Sequence, residues 1–208
     1  MREPDHVSQQ LMELDQACAQ QEYVRIQRRI DDADDVTGFV VALGTHWVLL
    51  NVVSQGSPNG WVALPVADVE AVAHAAGGRF VRRGLESQSY RAAVAPEAAL
   101  NLSGSVAALL VSAASSFPLV TFYTERRDPH SCVIGRPVRW GDDDFCWQEL
   151  DENAVWRLLP TSWVADDVTR MDIGGQYETA LSRVADLRGA PLRVDSHGQE
   201  TEDKRMDW

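Results

Sequence analysis

The chain has 208 residues, of which 45% are hydrophobic and 24% charged, and its formal net charge at pH 7 is −12. This composition is typical of a folded globular protein, and the length allows one large domain or two small ones. The acidic excess disfavours nucleic acid and anionic membranes as partners, since both bind through basic patches. No apolar run approaches the roughly 18 residues that a membrane span needs.

Cysteine usage indicates a reducing compartment. The chain contains Cys18, Cys132 and Cys146, and its first residues, 1–5, do not resemble a secretion signal. Small secreted proteins instead carry many cysteines at regular spacings. We therefore expect a cytoplasmic protein with free thiols.

The first ninety residues are predicted to form one helix followed by short strands. A helix starting at Asp5 is indicated by apolar residues on one helical face, namely Val7, Leu11, Leu14 and Cys18. Alternation from Tyr23 to Ile30 predicts a strand, and a hairpin follows over 36–50 with its turn at Gly44. Later turns are expected at 58–60, 67–68 and 77–78.

The same succession recurs about 97 residues later, at similar spacing. A second helix is predicted within 91–118, on the stripe Leu102, Val106, Leu109 and Ala113. Strands are expected over 119–125, on both sides of a turn at 141–144, over 156–159 and over 168–173. A final helix should bury Tyr177, Leu181 and Val184 on one face.

An internal duplication explains this ordered series of matches better than chance does. We therefore predict an α+β fold of two repeated lobes, each an N-terminal helix plus a small five-stranded Sm-like/SH3-like β-barrel, with a C-terminal helix. The lobes are expected at 1–90 and 91–190, and a mobile tail at 191–208.

The succession of one helix and five bent strands resembles the Sm-like fold. Val36-x-Gly38-x-Val40 resembles the first Sm motif, in which a glycine lets a strand bend sharply enough to close a small barrel, and Val133-x-Gly135 repeats it. The resemblance implies tandem Sm-like repeats. The whole chain also resembles uncharacterised proteins of this length from high-GC Gram-positive bacteria, which implies no activity.

The residues that bind nucleotides in Sm-type proteins are replaced here. That family places Asp in the turn of the first hairpin and Asn after the following apolar position. The corresponding residues are Gly44 and Val48 in the first half, and Gly141 and Cys146 in the second. The Arg-Gly pair of the second Sm motif also has no counterpart, so RNA binding of the Sm kind is not expected.

Candidate metal ligands fit no established pattern. His130, Cys132 and Cys146 are residue types that zinc prefers, but their spacing is not that of a zinc site, and buried structural cysteine is the favoured interpretation. The aspartate runs at 31–35 and 142–144 lack the calcium-loop pattern and fall at predicted turns. Neither phosphate-loop nor nucleophile motifs occur. We assign no catalytic, cofactor-binding or metal-binding residue.

Tryptophans concentrate in the second half and provide the candidate interaction surface. Tryptophan is common at protein interfaces, and a small barrel cannot bury every ring. The surface consists of Trp140, Trp147, Trp156 and Trp163. Contact between the two halves of the same chain is the favoured use of these rings, and contact with a foreign partner is the alternative.

The sequence therefore predicts a non-enzymatic protein-interaction or regulatory module. The partner is expected to be another protein or a second copy of the chain, with neither a membrane nor a cofactor involved. A divergent Sm-like nucleic-acid-binding protein is the alternative function.

Overall fold

The computed structural model describes residues 3–141 and 143–185, with side chains described from residue 9 onward. The helices are α1 (Glu3–Gln20), α2 (Gly78–Ser87), α3 (Val106–Ala114) and α4 (Gln176–Val184). The strands of the first half are β1 (Tyr23–Arg28), β2 (Val36–Leu43), β3 (Trp47–Ser54), β4 (Ser57–Pro65) and β5 (Val69–His74). Those of the second half are β6 (Val120–Tyr123), β7 (Cys132–Trp140), β8 (Asp144–Glu149), β9 (Thr161–Val164) and β10 (Arg170–Ile173).

All ten strands belong to one open sheet, in the order β5-β1-β2-β3-β4-β10-β6-β7-β8-β9. Every neighbouring pair is antiparallel. The prediction of two repeated lobes, each with a closed five-stranded barrel, is therefore wrong. The reason is the pairing of β4 with β10, which places Ala63 opposite Met171 and makes the first half continuous with the second.

The strands of the two halves nevertheless follow the same order. The first half has β5-β1-β2-β3-β4, and the second has β10-β6-β7-β8-β9. A register shift interrupts the first hairpin between Val40 and Ala42, and the second between Pro137 and Arg139. Both sets of five strands lie side by side in one open sheet. Their common order therefore does not support the predicted duplication of closed lobes.

The sheet separates two apolar cores. Successive residues of a strand point to opposite faces. In β3, Trp47 and Leu49 join the cluster around Phe122, whereas Val48 and Leu50 join the cluster around Leu14. Helix α1 packs beside β2 and β5, while α3 packs beside β6 and β7. Helices thus cover both faces, as a sheet with apolar residues on both sides requires. Leu85 of α2 and Leu181 of α4 belong to two smaller apolar clusters.

Several predicted elements are confirmed. The helix over α1 buries Leu14, and the alternation in β1 buries Val24 and Ile26. The β2–β3 hairpin turns at 44–46 as expected. The corners after β4 and β9 are single 3₁₀ turns at Val66–Asp68 and Ala165–Asp167. Local patterns were sufficient there because side-chain periodicity and turn residues act within a few positions.

Other expected boundaries are wrong. Residues 58–60 lie inside β4 rather than in a turn, because the hairpin turns earlier, at 55–56. The predicted strand at 156–159 is instead an irregular segment, and β9 begins after Pro160. Leu102 precedes α3, whose N-cap is Ser105. The predicted tail at 191–208 lies outside the described residues.

Among the described residues, no helix has both the length and the apolar composition needed to cross a membrane.

Candidate interaction surface

The four tryptophans of the predicted surface occupy different environments. Trp147 has no exposed area and packs in edge-to-face contact with Phe122, at 5.0 Å between ring centroids. Trp163 and Trp140 are half-buried against the same core, and Trp163 contacts Phe122 at 5.2 Å. Trp147 therefore contributes to the core, and the outer parts of Trp140 and Trp163 lie at its margin.

Trp156 lies apart from the other three rings. It packs against a small cluster that includes Leu119, Leu150 and Leu181. The Arg136 guanidinium lies over its ring, 5.3 Å from the centroid. This arrangement is a cation–π contact, which holds the half-buried ring against the protein. The structure thus does not gather the four tryptophans into a single exposed patch.

Several exposed apolar side chains instead lie in and before β9. Leu158 is 98% exposed and Leu159 is 78% exposed, although leucine is usually buried. Val155 and Val164 are 59% and 46% exposed. These four exposed apolar side chains lie within ten positions of one another along the chain, and exposed apolar side chains that gather on a surface mark interaction sites. We call Val155, Leu158, Leu159 and Val164 the apolar rim.

Strand β9 forms one edge of the sheet, next to this apolar rim. The Ala165 amide donates a hydrogen bond to the Asp143 carbonyl, 2.9 Å away, so it faces the β8 side. Main-chain groups of successive residues in an antiparallel strand face opposite edges. Ser162 and Val164 therefore direct their N–H and C=O groups away from β8, towards the free edge.

The edge formed by β9 is uncharged. Its sequence is Thr161-Ser162-Trp163-Val164. Natural edge strands usually carry charged side chains or prolines that prevent another chain from pairing. On this edge the protective features are Pro160, which precedes β9, and the short length of the strand, four residues. On the outer face of the strand, the Ser162 hydroxyl lies 3.5 Å from the Cys146 thiol.

Charged residues flank the edge instead of occupying it. Arg157 is 63% exposed at its side chain and pairs with Glu149 at 3.0 Å. Asp166, after β9, is exposed, and Asp167 pairs with Arg127 at 2.6 Å. Both ends of the strand thus carry an ion pair, and Asp166 adds an exposed carboxylate after its end.

The opposite edge of the sheet, β5, is better covered. Its main-chain carbonyl at Glu70 accepts a hydrogen bond from Gln10 Nε2 of α1 at 2.5 Å. Glu70 and His74 add exposed polar side chains to this edge. The helix and these side chains are the devices by which proteins block pairing at an edge.

A polar cluster near the centre of the sheet is the main concentration of perturbed titratable groups. Burial raises the pKa of the Glu178 carboxyl, which accepts a hydrogen bond from the Thr121 hydroxyl. Arg170 and Asp172 form a two-bond ion pair with both contacts at 2.6 Å. Burial also raises the pKa of Tyr123, whose hydroxyl donates to Asp172 at 3.2 Å.

Most members of this polar cluster are paired with one another, and Arg170, Asp172 and Glu178 also line a surface cavity. Asp172 is already paired with Arg170, and the high pKa of Tyr123 keeps its hydroxyl protonated. The carboxyl of Glu178 is 7% exposed by residue and faces Thr121. We interpret the cluster as a structural polar network.

The candidate zinc ligands are not brought together. Cys132 starts β7, whereas Cys146 in β8 pairs in register with Arg139, at the other end of β7. Cys132 is exposed, so the expected burial of this cysteine is wrong, and Cys146 is half-buried. In the part of the chain that the structure describes, no group of three His, Cys, Asp or Glu residues could hold a metal ion.

Sequence reasoning missed the apolar rim because it placed 156–159 in a strand. The available signal was Leu158-Leu159-Pro160, in which two bulky apolar residues precede a proline that cannot donate a main-chain hydrogen bond. Successive side chains of a strand point to opposite faces, so Leu158 and Leu159 could not both face the core if one face of the strand were solvated.

No family model, curated protein or solved structure matches this chain.

Proposed function

We propose that the protein is a non-enzymatic protein-interaction or regulatory module that binds another polypeptide along β9. The single observation that carries the proposal is an uncharged edge strand bordered by exposed apolar side chains. In strand addition, main-chain hydrogen bonds from the edge provide affinity and neighbouring side-chain contacts provide specificity.

Both requirements of strand addition are met at this edge. Ser162 and Val164 offer outward main-chain donors and acceptors, as inferred from the Ala165–Asp143 hydrogen bond. Leu158 and Leu159 offer apolar area whose removal from water is worth about 25 cal/mol per Å². A bound segment would therefore gain from both terms without having to bury a charge from β9.

The alternative, a nucleic-acid-binding protein, has less support. The chain is strongly acidic, with 31 acidic and 19 basic residues. Nucleic acid binding depends chiefly on neutralising phosphates with lysine and arginine. The Sm-like barrel that motivated this alternative is absent from the described sheet.

A cytoplasmic location is part of the proposal. Cys18, Cys132 and Cys146 are all free thiols. Free thiols persist in compartments that glutathione and thioredoxin keep reduced.

Affinity capture from an extract of the native host, followed by mass spectrometry, tests the function. The baits are the wild-type chain, Ser162→Pro and the double variant Leu158→Glu/Leu159→Glu, with Ser162→Ala as the matched control. We expect a protein partner that the wild type and the control recover equally and that both disruptive variants recover at least tenfold less. Equal recovery of every partner by all four baits would refute the use of β9.

A further inference from the structure

A cavity of about 290 Å³ lies between the two halves of the chain. Residues of the single turns Val66–Asp68 and Ala165–Asp167 line two of its sides, and the residues at the start of α3, 104–106, line a third. No residue of β9 or of the apolar rim lines this cavity. An inference about it therefore goes beyond the proposed function and does not depend on it.

The walls of the cavity are mainly apolar. They include Trp47, Pro65, Val106 and Val168. The indole N–H of Trp47 already donates to the Gly104 carbonyl at 3.3 Å, so this side chain offers the cavity chiefly its ring. Small-molecule sites combine such apolar walls with a few polar groups, in volumes of about 300–1,000 Å³. The cavity is close to the lower limit of that range, which suits a ligand of one ring.

Asp68 provides the cavity with a buried carboxylate that is only partly hydrogen-bonded. The residue is 6% exposed, and its Oδ1 accepts a hydrogen bond from Arg126 Nη2. Its Oδ2 has no hydrogen-bond partner within the described part of the chain. Burial raises the pKa of Asp68 even though the Arg126 guanidinium lies beside it. A buried acceptor without a donor is costly, so a donor carried by a ligand would stabilise this carboxylate.

The charges at the cavity favour a cation over an anion. Two carboxylates line it, those of Asp68 and the exposed Asp166, against the single guanidinium of Arg126. That guanidinium is already engaged, because it pairs with Asp68 and its Nη1 also donates to the Asp166 carbonyl at 3.4 Å. An anionic ligand would have to compete with both contacts, whereas a cation would meet an incompletely paired carboxylate.

We infer that this cavity binds a small organic cation with an apolar body, of the aromatic amine or amidine class. The cationic nitrogen pairs with the Asp68 carboxylate, and the ring lies against Trp47 and Val168. A hydrogen bond between charged groups is stronger than one between neutral groups, so Asp68 selects the cation. The apolar walls select its ring by removing it from water.

Titration of the ¹⁵N-labelled full chain with benzamidine, followed by two-dimensional NMR, tests the inference. We expect saturable shifts at the Trp47 indole and at the Asp68 and Val106 amides, with a dissociation constant below about 5 mM. Benzoate has a similar size and the opposite charge, and it should give no saturable shift at these positions up to about 10 mM.

Two variants and their matched controls locate the site. Asp68→Asn removes the charge and should weaken benzamidine binding at least tenfold, whereas Asp31→Asn makes the same change at an exposed position outside the cavity. Ala67→Phe adds a ring at an exposed position of the cavity wall and should block binding, and its control is Ala71→Phe on β5. Both controls should bind like the wild type.

The same NMR spectra show whether each variant is folded. If Asp68→Asn does not fold, the comparison of Ala67→Phe with Ala71→Phe decides. Three results would overturn the inference: no saturable shift with benzamidine, benzoate binding as tight as that of benzamidine, or binding that Asp68→Asn and Ala67→Phe both leave unchanged. Failure of the host-protein capture at β9 would refute the proposed function and leave this inference standing.

Discussion

Arg28 and Glu125 form a buried ion pair between the two halves of the chain. Their side chains are 0% and 3% exposed, and Arg28 Nη2 lies 2.8 Å from Glu125 Oε1 while Nη1 contacts Oε2. The Thr169 hydroxyl donates to Glu125 Oε2 at 2.7 Å, and Arg28 Nη2 also donates to the Asp34 carbonyl at 2.6 Å. The pair is thus supported by several further hydrogen bonds, which allows two charges to remain inside the protein.

Replacing one member of this pair should be costly. Arg28→Met leaves the Glu125 carboxylate buried without its counter-charge, so we expect a loss of about 3–5 kcal/mol in the free energy of unfolding. Urea denaturation provides the measurement. The double variant Arg28→Met/Glu125→Leu should recover much of the loss, and a single variant as stable as the wild type would contradict the role of the pair.

The junction between β4 and β10 depends on the absence of a side chain at Gly60. Its φ is +73°, and a methyl group there would meet the backbone of Gly174 and Gly175 at 2.6 Å. Gly60→Ala should therefore cost about 3 kcal/mol, from the strained φ and the forced separation of the strands together.

Gly77 provides the matched control for this substitution. Its φ is +85°, but no atom lies within 4 Å of an added methyl group. Gly77→Ala should cost only about 1 kcal/mol, the penalty for a left-handed conformation alone. Equal losses in thermal or urea unfolding for the two variants would show that close contact at the junction is unimportant.

Substitutions at Trp147 and Leu158 distinguish the core from the proposed binding edge. Trp147→Ala removes a fully buried ring, so it should lower the free energy of unfolding by about 3–5 kcal/mol. Leu158→Ala removes a side chain that is 98% exposed and should change stability by less than about 0.5 kcal/mol. Urea unfolding tests both, and the reverse ranking would contradict this assignment.

The stability of the protein should depend on pH through Glu178. Burial raises the pKa of this carboxyl, so the folded state favours its protonated form. This contribution is fully present below the pKa of the unfolded chain and is lost as pH rises through the higher folded pKa. Glu178→Gln should therefore melt at a higher temperature than the wild type at pH 7.

The gain from Glu178→Gln should shrink towards about pH 4, because the wild-type carboxyl is then protonated in the folded protein. Glu152→Gln, which removes the same charge from an exposed position, is the control and should not show this pattern. Differential scanning calorimetry across the pH range measures both variants. A pH-independent difference would contradict the raised pKa.

The purified protein should not bind nucleic acid. Its net charge of −12 makes phosphate backbones repulsive at low ionic strength. We expect an absorbance spectrum free of a 260 nm contribution and no mobility shift of labelled RNA or DNA at low salt. A salt-sensitive shift would favour the alternative function over the proposed one.

The sequence by itself determined most local elements. The alternation in β1, the turn at 44–46 and the helical stripe of α1 all involve residues a few positions apart. The periodicity of apolar side chains indicates which face of a helix or strand is buried, and glycine or proline indicates where a turn occurs. The acidic composition likewise disfavoured nucleic acid as a partner.

Only the tertiary structure decided which strands are neighbours. Strand pairing is made by main-chain groups that every residue carries, so the sequence of β4 does not record whether it closes a barrel or pairs with β10. The burial of Trp147 and the exposure of Leu158 follow from that pairing. An apolar side chain is stabilised by leaving water, and this follows from its residue type. Whether a neighbouring group covers that side chain depends on the tertiary structure.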